Sequence, residues 1–334
     1  MVNKKNHNVL GQKMETIRVK RRNIEVVFLN YGARIYELKT PDLNNNMENI
    51  VLAYHDFADY VKEDLHLNAT LGPIAGRLND GEVCINGQCF NYSEDAEKEH
   101  VLHGGTAALS YHLFESEIIE TNKSTIVRYK TDLKSQVNHH ANSIIYVTYE
   151  VKDSAIVVKY QGETDQLSYL NLSNHFYFNL SGNVKFSIHD QMIRLKASNR
   201  YHLDESKIPL YMVKVEGLYD FNQFLPMGKV IDCLEEGLDD VYLLDSENEL
   251  VFEAYDPKSC RYMSVSTSYE ACVLYTHNVV NAKAIKPHNH HLKHHAFCVE
   301  FQNPPYHLEP SKRLIDSTRD YSHVIEYHFK TKKS

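Results

Sequence analysis

The feature that most restricts what this chain can fold into is a long succession of short β-branched and aromatic runs separated by polar turns. From Glu115 onward these read SEIIE, STIVRYKTDL, NSIIYVTYEV and SAIVVKYQGET, with turns at Thr121-Asn122-Lys123 and Asp153-Ser154. Such runs favour consecutive antiparallel strands. Similar segments follow in MIRLKASNRYHL, LDDVYLLD, ELVFEAYD, RYMSVSTS, ACVLYTHN, AFCVEFQN and HVIEYHF. No stretch of four helical turns interrupts them, which argues against a βαβ architecture and for an all-β fold, a large antiparallel β-sandwich or barrel with few short helices. A chain of 334 residues would ordinarily suggest two domains, but no Gly/Ser-rich or Pro-rich linker divides it. A single domain over residues 1–334 is therefore expected.

Ahead of those runs, Ile24, Val26 and Phe28 alternate with Glu25, Val27 and Leu29, and Tyr31-Gly32-Ala33 supplies a turn. The stretch His55 to Leu65 carries Phe57, Tyr60, Val61 and Leu65 near helical spacing behind a capping Asp56, so one short helix belongs there. Asn86-Gly87 after Glu82 to Ile85 is the strongest local hairpin signal. The six cysteines are dispersed without a C-x-x-C pair, which reads as free thiols in a reducing compartment. Thirty-six basic against 44 acidic residues give a formal charge of −8, with no electrostatic footprint for nucleic acid or an anionic membrane. No apolar window reaches membrane-spanning length and the N-terminus lacks an apolar signal region, so a cytoplasmic protein with small neutral partners is expected.

Chemistry must come from polar groups set among these strands. NLSNHFYFNL, Asn171 to Leu180, alternates apolar Leu172, Phe176, Phe178 and Leu180 with polar groups that bury only when partnered, and it reads as a strand half-buried on one face that ends in a polar pocket. Alone, it is equally a core strand with one hydrogen-bonded histidine. Arg77 in GPIAGR, His100 and His103 in HVLHGG, and Asp239 with Asp240 in GLDD each read equally as surface or turn residues. Glu300 lies in the apolar run FCVEFQN; if buried in a cleft it would gain a raised pKa, as suits an acid/base carboxylate opposite a histidine. The loop PHNHHLKHHAF crowds His288, His290, His291, His294 and His295, but irregular backbone gives such histidines no fixed geometry for a metal, and no metal is expected.

The ordered set GPIAGR, HVLHGG, NLSNHFYFNL, GLDD, VLYTHN and HHAFCVEFQNPP, spanning residues 72 to 305, resembles that of the aldose 1-epimerases, the galactose mutarotase family. The resemblance implies a cofactor-free sugar site on the concave face of a large antiparallel β-sandwich, interconverting the α and β anomers of an aldohexose such as galactose or glucose. It casts Glu300 as the general base at the C1 hydroxyl and His175 as the acid at the ring oxygen. His103 becomes a second histidine near that oxygen, Arg77 and Asp239 hold sugar hydroxyls, and Asn174 and Tyr177 support them. Two departures stand out: Asp240 follows Asp239 where relatives commonly have histidine, and the usual E-T-Q-N-F-P-D tail reads EFQNPPYH. The alternatives are a hexose 6-phosphate mutarotase, which calls for more cations at the pocket mouth, a non-catalytic sugar-binding sandwich, and a glycoside hydrolase using Asp239 with Glu300. Oligomeric state is not legible in the sequence.

Overall fold

Strand Ser143–Val151 shows how the sequence builds the architecture: Ser143, Ile145, Val147, Tyr149 and Val151 are buried while the residues between them are half-exposed. That period of two places one face of the strand on the core. In this computed structural model, which describes all residues except 63–64, 93–99, 136–140, 248, 310–312 and 333–334, it belongs to an antiparallel sheet of nine strands. Their spatial order is Glu115–Glu120, Thr125–Leu133, Ser143–Val151, Ala155–Thr164, Tyr321–Thr331, Arg261–Thr267, Leu250–Tyr255, Met192–Leu195 and Leu225–Pro226. Two five-stranded antiparallel sheets accompany it. One runs in sequence order from Val2–Val9 to Met47–Asn49; the other has the order Pro209–Lys214, Asn199–Leu203, Asp239–Leu243, Ala271–Tyr275 and Cys298–Gln302.

One hydrophobic core connects the three sheets, with Ile17, Phe28, Tyr149, Tyr160, Leu274, Val299 and Ile325 all buried in it. Each large side chain of this kind contributes roughly 1.5–3 kcal/mol by leaving water. Among the described residues the α-helices are Asp59–Lys62 and Met227–Ile231. Neither is long and apolar enough to cross a membrane. The first lies in the expected stretch, whose Glu63 and Asp64 are outside the described residues; the Asp56 carboxylate accepts the Ala58 N–H at 2.9 Å.

Two expectations are corrected. Asn171 to Leu180 is extended but is not a strand half-buried on one face: only Ser173–Asn174 form a ladder, with Thr70–Leu71, and all ten residues are buried. The segment runs between layers, so Phe176 and Phe178 enter the main core while Tyr177 enters a second cluster with Tyr54, Tyr60 and Cys298. Its far end is tied by the buried Arg261, whose guanidinium donates to the carbonyls of Leu180 and Ser181 and to Glu48. The second correction concerns Cys84 and Cys89, which form a disulfide rather than free thiols. The Asn86-Gly87 turn sets the register, placing the two cysteines directly opposite each other in the hairpin Glu82–Ile85/Gln88–Asn91. The thiols of Cys233, Cys260, Cys272 and Cys298 are free, and the sequence argument for a reducing compartment loses part of its premise.

Candidate active site

Register on the second five-stranded sheet creates one wall of a cavity. Asp239 pairs with Tyr275, and Val273 pairs with Glu300, so these four side chains share a face. The alternate residues Tyr242, Leu274, Val299 and Phe301 turn into the core. This period separates the consecutive aspartates: Asp239 reaches Arg77 at 2.9 Å inside the cavity, whereas Asp240 points the other way and meets Arg200 at 3.2 Å. Asp240 therefore does not share the position of Asp239.

The opposite wall comes from the pair Arg77–Leu78 and Val101–Leu102 and the turn behind it. His103 donates its backbone N–H to the Gly76 carbonyl (2.9 Å), and the Gly76 N–H donates back to His103 Nδ1 (3.1 Å). Glycine is required at 104, where φ is +94° and a Cβ would lie 2.6 Å from the Gly72 carbonyl oxygen. The resulting cavity, of about 280 Å³, is lined by Arg77, His103, His175, Tyr177, Asp239 and Glu300 together with His66, Tyr275 and the apolar Leu65, Leu102, Val273 and Val279. Six of the seven side chains expected from the sequence thus meet in one place.

Asn174 is the exception. It is wholly buried, donating to Tyr160 Oη at 3.1 Å and accepting from Tyr327 Oη at 3.0 Å, and it does not line the cavity. Alternation along the segment explains this, because the side chains on either side of it face different layers. Tyr177 lies under His175 with the rings stacked at 4.7 Å and 16°, and its hydroxyl donates to the Leu65 carbonyl. His66 and Tyr275 were missed in the sequence. Tyr275 sits in the quoted run VLYTHN as one aromatic among many; His66 stands alone in DLHLN, where no spacing marks it.

At the centre, His175 Nε2 and Glu300 Oε1 are 3.2 Å apart, both groups more than nine-tenths buried. Burial, reinforced by Asp239 and opposed by Arg77, holds the Glu300 carboxyl well above its ordinary range. Burial also depresses His175 to about 3, with the neighbouring His66 adding to the effect. Each partner is pushed toward its uncharged form, which favours a neutral carboxyl–imidazole pair over two separate charges. Glu300 Oε2 is buried and has no hydrogen-bond partner among the described residues. An acceptor in that state needs a donor from outside the protein.

His103 is likewise driven well below its ordinary value, first by burial and then by His66, His175 and Arg77. Because its Nδ1 accepts from Gly76, neutral His103 carries its hydrogen on Nε2. Ligating atoms of His103, His175 and Glu300 lie within 4.8 Å of one another. The donor set nonetheless suits a metal poorly: one His103 nitrogen is occupied by the Gly76 N–H and the other bears a proton, whereas a ligating histidine usually donates its second nitrogen to an acceptor.

A wall of antiparallel strands thus sets a buried carboxylate and histidine, in contact, beside a small polar cavity. Solved structures with this fold include the galactose 1-epimerase of Lactobacillus acidophilus NCFM, with a TM-score of 0.87, 20% identity and 99% of both chains covered, and an aldose epimerase homologue from C. elegans, with a TM-score of 0.86, 21% identity and 95% and 98% covered. The galactose mutarotase of Homo sapiens is 25% identical over 96% of this chain and 95% of its own length. The maltose epimerase of Levilactobacillus brevis is 22% identical over 92% of each. The family model for aldose 1-epimerase matches residues 15–327, and the chain belongs to that family.

Proposed function

We propose that the protein is an aldose 1-epimerase that interconverts the α and β anomers of a free aldohexose, galactose or glucose, with Glu300 as general base and His175 as general acid. The observation that carries this reading is the buried His175 Nε2 to Glu300 Oε1 contact beside an unpartnered Glu300 Oε2 in a cavity of hexose size. Opening a cyclic hemiacetal requires one proton removed at O1 and one delivered to the ring oxygen. In the tautomer with the shared proton on His175, Glu300 takes the O1 proton while His175 protonates the ring oxygen, and the C1–ring oxygen bond breaks to give the aldehyde. Rotation about the C1–C2 bond presents the other carbonyl face. Closure then runs the same transfers in reverse, returning both protons, so the pair ends in the state in which it began.

Neutral His103, with hydrogen on Nε2, supplies a donor toward the ring oxygen, and Arg77 and Asp239 supply complementary partners for hydroxyls. Arg77 is the one arginine or lysine among the described lining residues and already engages Asp239. That favours an uncharged hexose over a hexose 6-phosphate. Polarimetry on freshly dissolved α-galactose should show faster equilibration than in buffer, and Glu300→Ala and His175→Ala should each lose most of the acceleration while staying folded. A wild-type rate equal to the buffer rate with every free and phosphorylated hexose tried would replace the catalytic reading with a sugar-binding one.

A further inference from the structure

We propose that Tyr275 is a specificity-determining residue of this cavity, donating the hydrogen of its phenol to a hexose hydroxyl away from C1. The class of ligand rests on the epimerase reading; the direction in which Tyr275 donates does not.

Strand register puts Tyr275 on the cavity face. It pairs with Asp239 on one side and Cys298 on the other, one row along from the Val273 and Glu300 pair. The residue is half-buried and lines the cavity, its ring edge-on to that of His175 with centroids 5.7 Å apart at 80°. Beyond it the chain turns back sharply through the buried His277, whose φ of +52° lies in the left-handed region. That turn brings the Val279 N–H to Tyr275 Oη at 3.0 Å, and the Asn278 N–H donates to the same oxygen. Val279 is 58% exposed, so the hydroxyl it holds sits toward the mouth of the cavity, away from the buried Glu300 and His175.

The turn is itself anchored to the strand that carries Asp239. Asn278 Nδ2 donates to the Leu238 carbonyl at 2.7 Å, and Asn278 Oδ1 accepts from Thr276 Oγ1 at 2.6 Å, which in turn accepts the Leu238 N–H at 2.8 Å. Glycine at 237, with φ of +65°, makes room for this approach, since a Cβ there would lie 2.2 Å from Asn278 Oδ1. The position of Tyr275 Oη is therefore fixed before any ligand arrives. A phenol accepts at its oxygen and donates through one hydrogen. Two backbone N–H groups occupy the accepting side, and burial holds the hydroxyl above its ordinary pKa against their opposing pull, so the hydrogen stays on. Among the described residues no acceptor takes that hydrogen. What remains is a preset donor facing the space a sugar would fill.

Tyr275→Phe keeps the ring and removes only the hydroxyl, so the whole chain serves for the test. Isothermal calorimetry would compare wild type and variant with galactose, glucose and the 2-, 3-, 4- and 6-deoxy forms of whichever binds more tightly. The variant should bind the parent hexose about 5-fold more weakly, the loss of one hydrogen bond. With one deoxy sugar, the one that lacks the contacted hydroxyl, the two proteins should agree within about 2-fold, because both ends of the same contact are then absent. A variant that binds the parent hexose as tightly as wild type would overturn the proposal. So would an equal loss with every deoxy form, the result for a tyrosine that serves only as the acceptor of its turn, and so would a wild type that binds none of these sugars. Polarimetry on the same samples separates the two readings: a wild type that shows this pattern of binding without accelerating mutarotation would sink the epimerase function and leave Tyr275 standing.

Discussion

Two histidine contacts, one buried and one half-buried, sit in opposite surroundings. In the cavity, His175 Nε2 meets a carboxylate oxygen at 3.2 Å. In the histidine-rich loop, His291 Nε2 meets His277 Nε2 at 2.8 Å. The loop contact is held at one end: the Lys283 N–H donates to Asn281 Oδ1, which also faces His291 Nδ1, so neutral His291 donates from Nδ1 and accepts at Nε2 from His277, whose buried Nδ1 has no hydrogen-bond partner among the described residues. Neither His277 nor His291 lines the cavity of Glu300 and His175, and among the described residues no group of three metal-ligating side chains lies in this loop. His288 and His294 face the carbonyls of Val184 and Thr276. The contrast teaches that the crowded histidines here are anchored to backbone and side-chain partners, whereas the single histidine beside a buried carboxylate faces an open cavity, as the proposed proton transfer requires.

Removing the carboxylate should break the comparison most sharply. Glu300→Gln should lower the mutarotation kcat by about 10³-fold, the range of lost acid–base catalysis. Its Tm at pH 7 should rise. Because the folded-state pKa is raised, the contribution of Glu300 to stability is full below the unfolded carboxyl value and is lost as pH climbs from there through the raised folded-state value. Glutamine has no such ionisation. A kcat within 10-fold of wild type would remove Glu300 from the mechanism.

Asp239→Asn and Asp240→Asn sharpen it next, since they are neighbours facing opposite sides. Asp239→Asn should raise KM about 10-fold with a smaller change in kcat, whereas Asp240→Asn should leave KM alone and lower the Tm through loss of the Arg200 pair. Equal KM effects would contradict the alternation.

In the loop, His291→Asn should be the mirror image of Glu300→Gln, with kcat within about 2-fold of wild type and a Tm lower by about 2–4 °C, from a loss of about 1 kcal/mol. A large loss of activity would tie the loop to catalysis. The smallest effect is on pH dependence. Burial depresses His291 to about 4, and His277 is driven well below its ordinary value. Depressed histidines stabilise the fold fully above the unfolded value near 6.5 and lose that contribution as pH falls toward their folded values. Denaturant unfolding between pH 6.5 and 4.5 should therefore show falling stability, with a shallower slope in His291→Asn.

Much of this molecule was legible because strands write a period of two into the chain. NSIIYVTYEV and STIVRYKTDL occupy the strands their alternation implies, and Asn86-Gly87 forms its hairpin. Glu300 could be singled out because a carboxylate interrupts an apolar run. Layer position was not legible: Asn174 is as polar as its neighbours, yet it faces two tyrosines rather than the cavity. His66 left no trace, since its place depends on Arg34 and Ser110, which are distant in sequence. The Cys84–Cys89 bridge is not legible in the spacing of the cysteines, because it depends on the turn register that sets the two directly opposite each other.

The cavity draws Arg77 and His103 from one pair of short strands, His175 from a segment between layers, and Asp239 and Glu300 from separate strands of one sheet. Loop-closure entropy delays contacts between such distant segments. The contact between His175 and Glu300 thus requires the segment between layers and the second five-stranded sheet to be in place together. During refolding, any activity carried by this pair should therefore return later than the strand signal of the separate sheets.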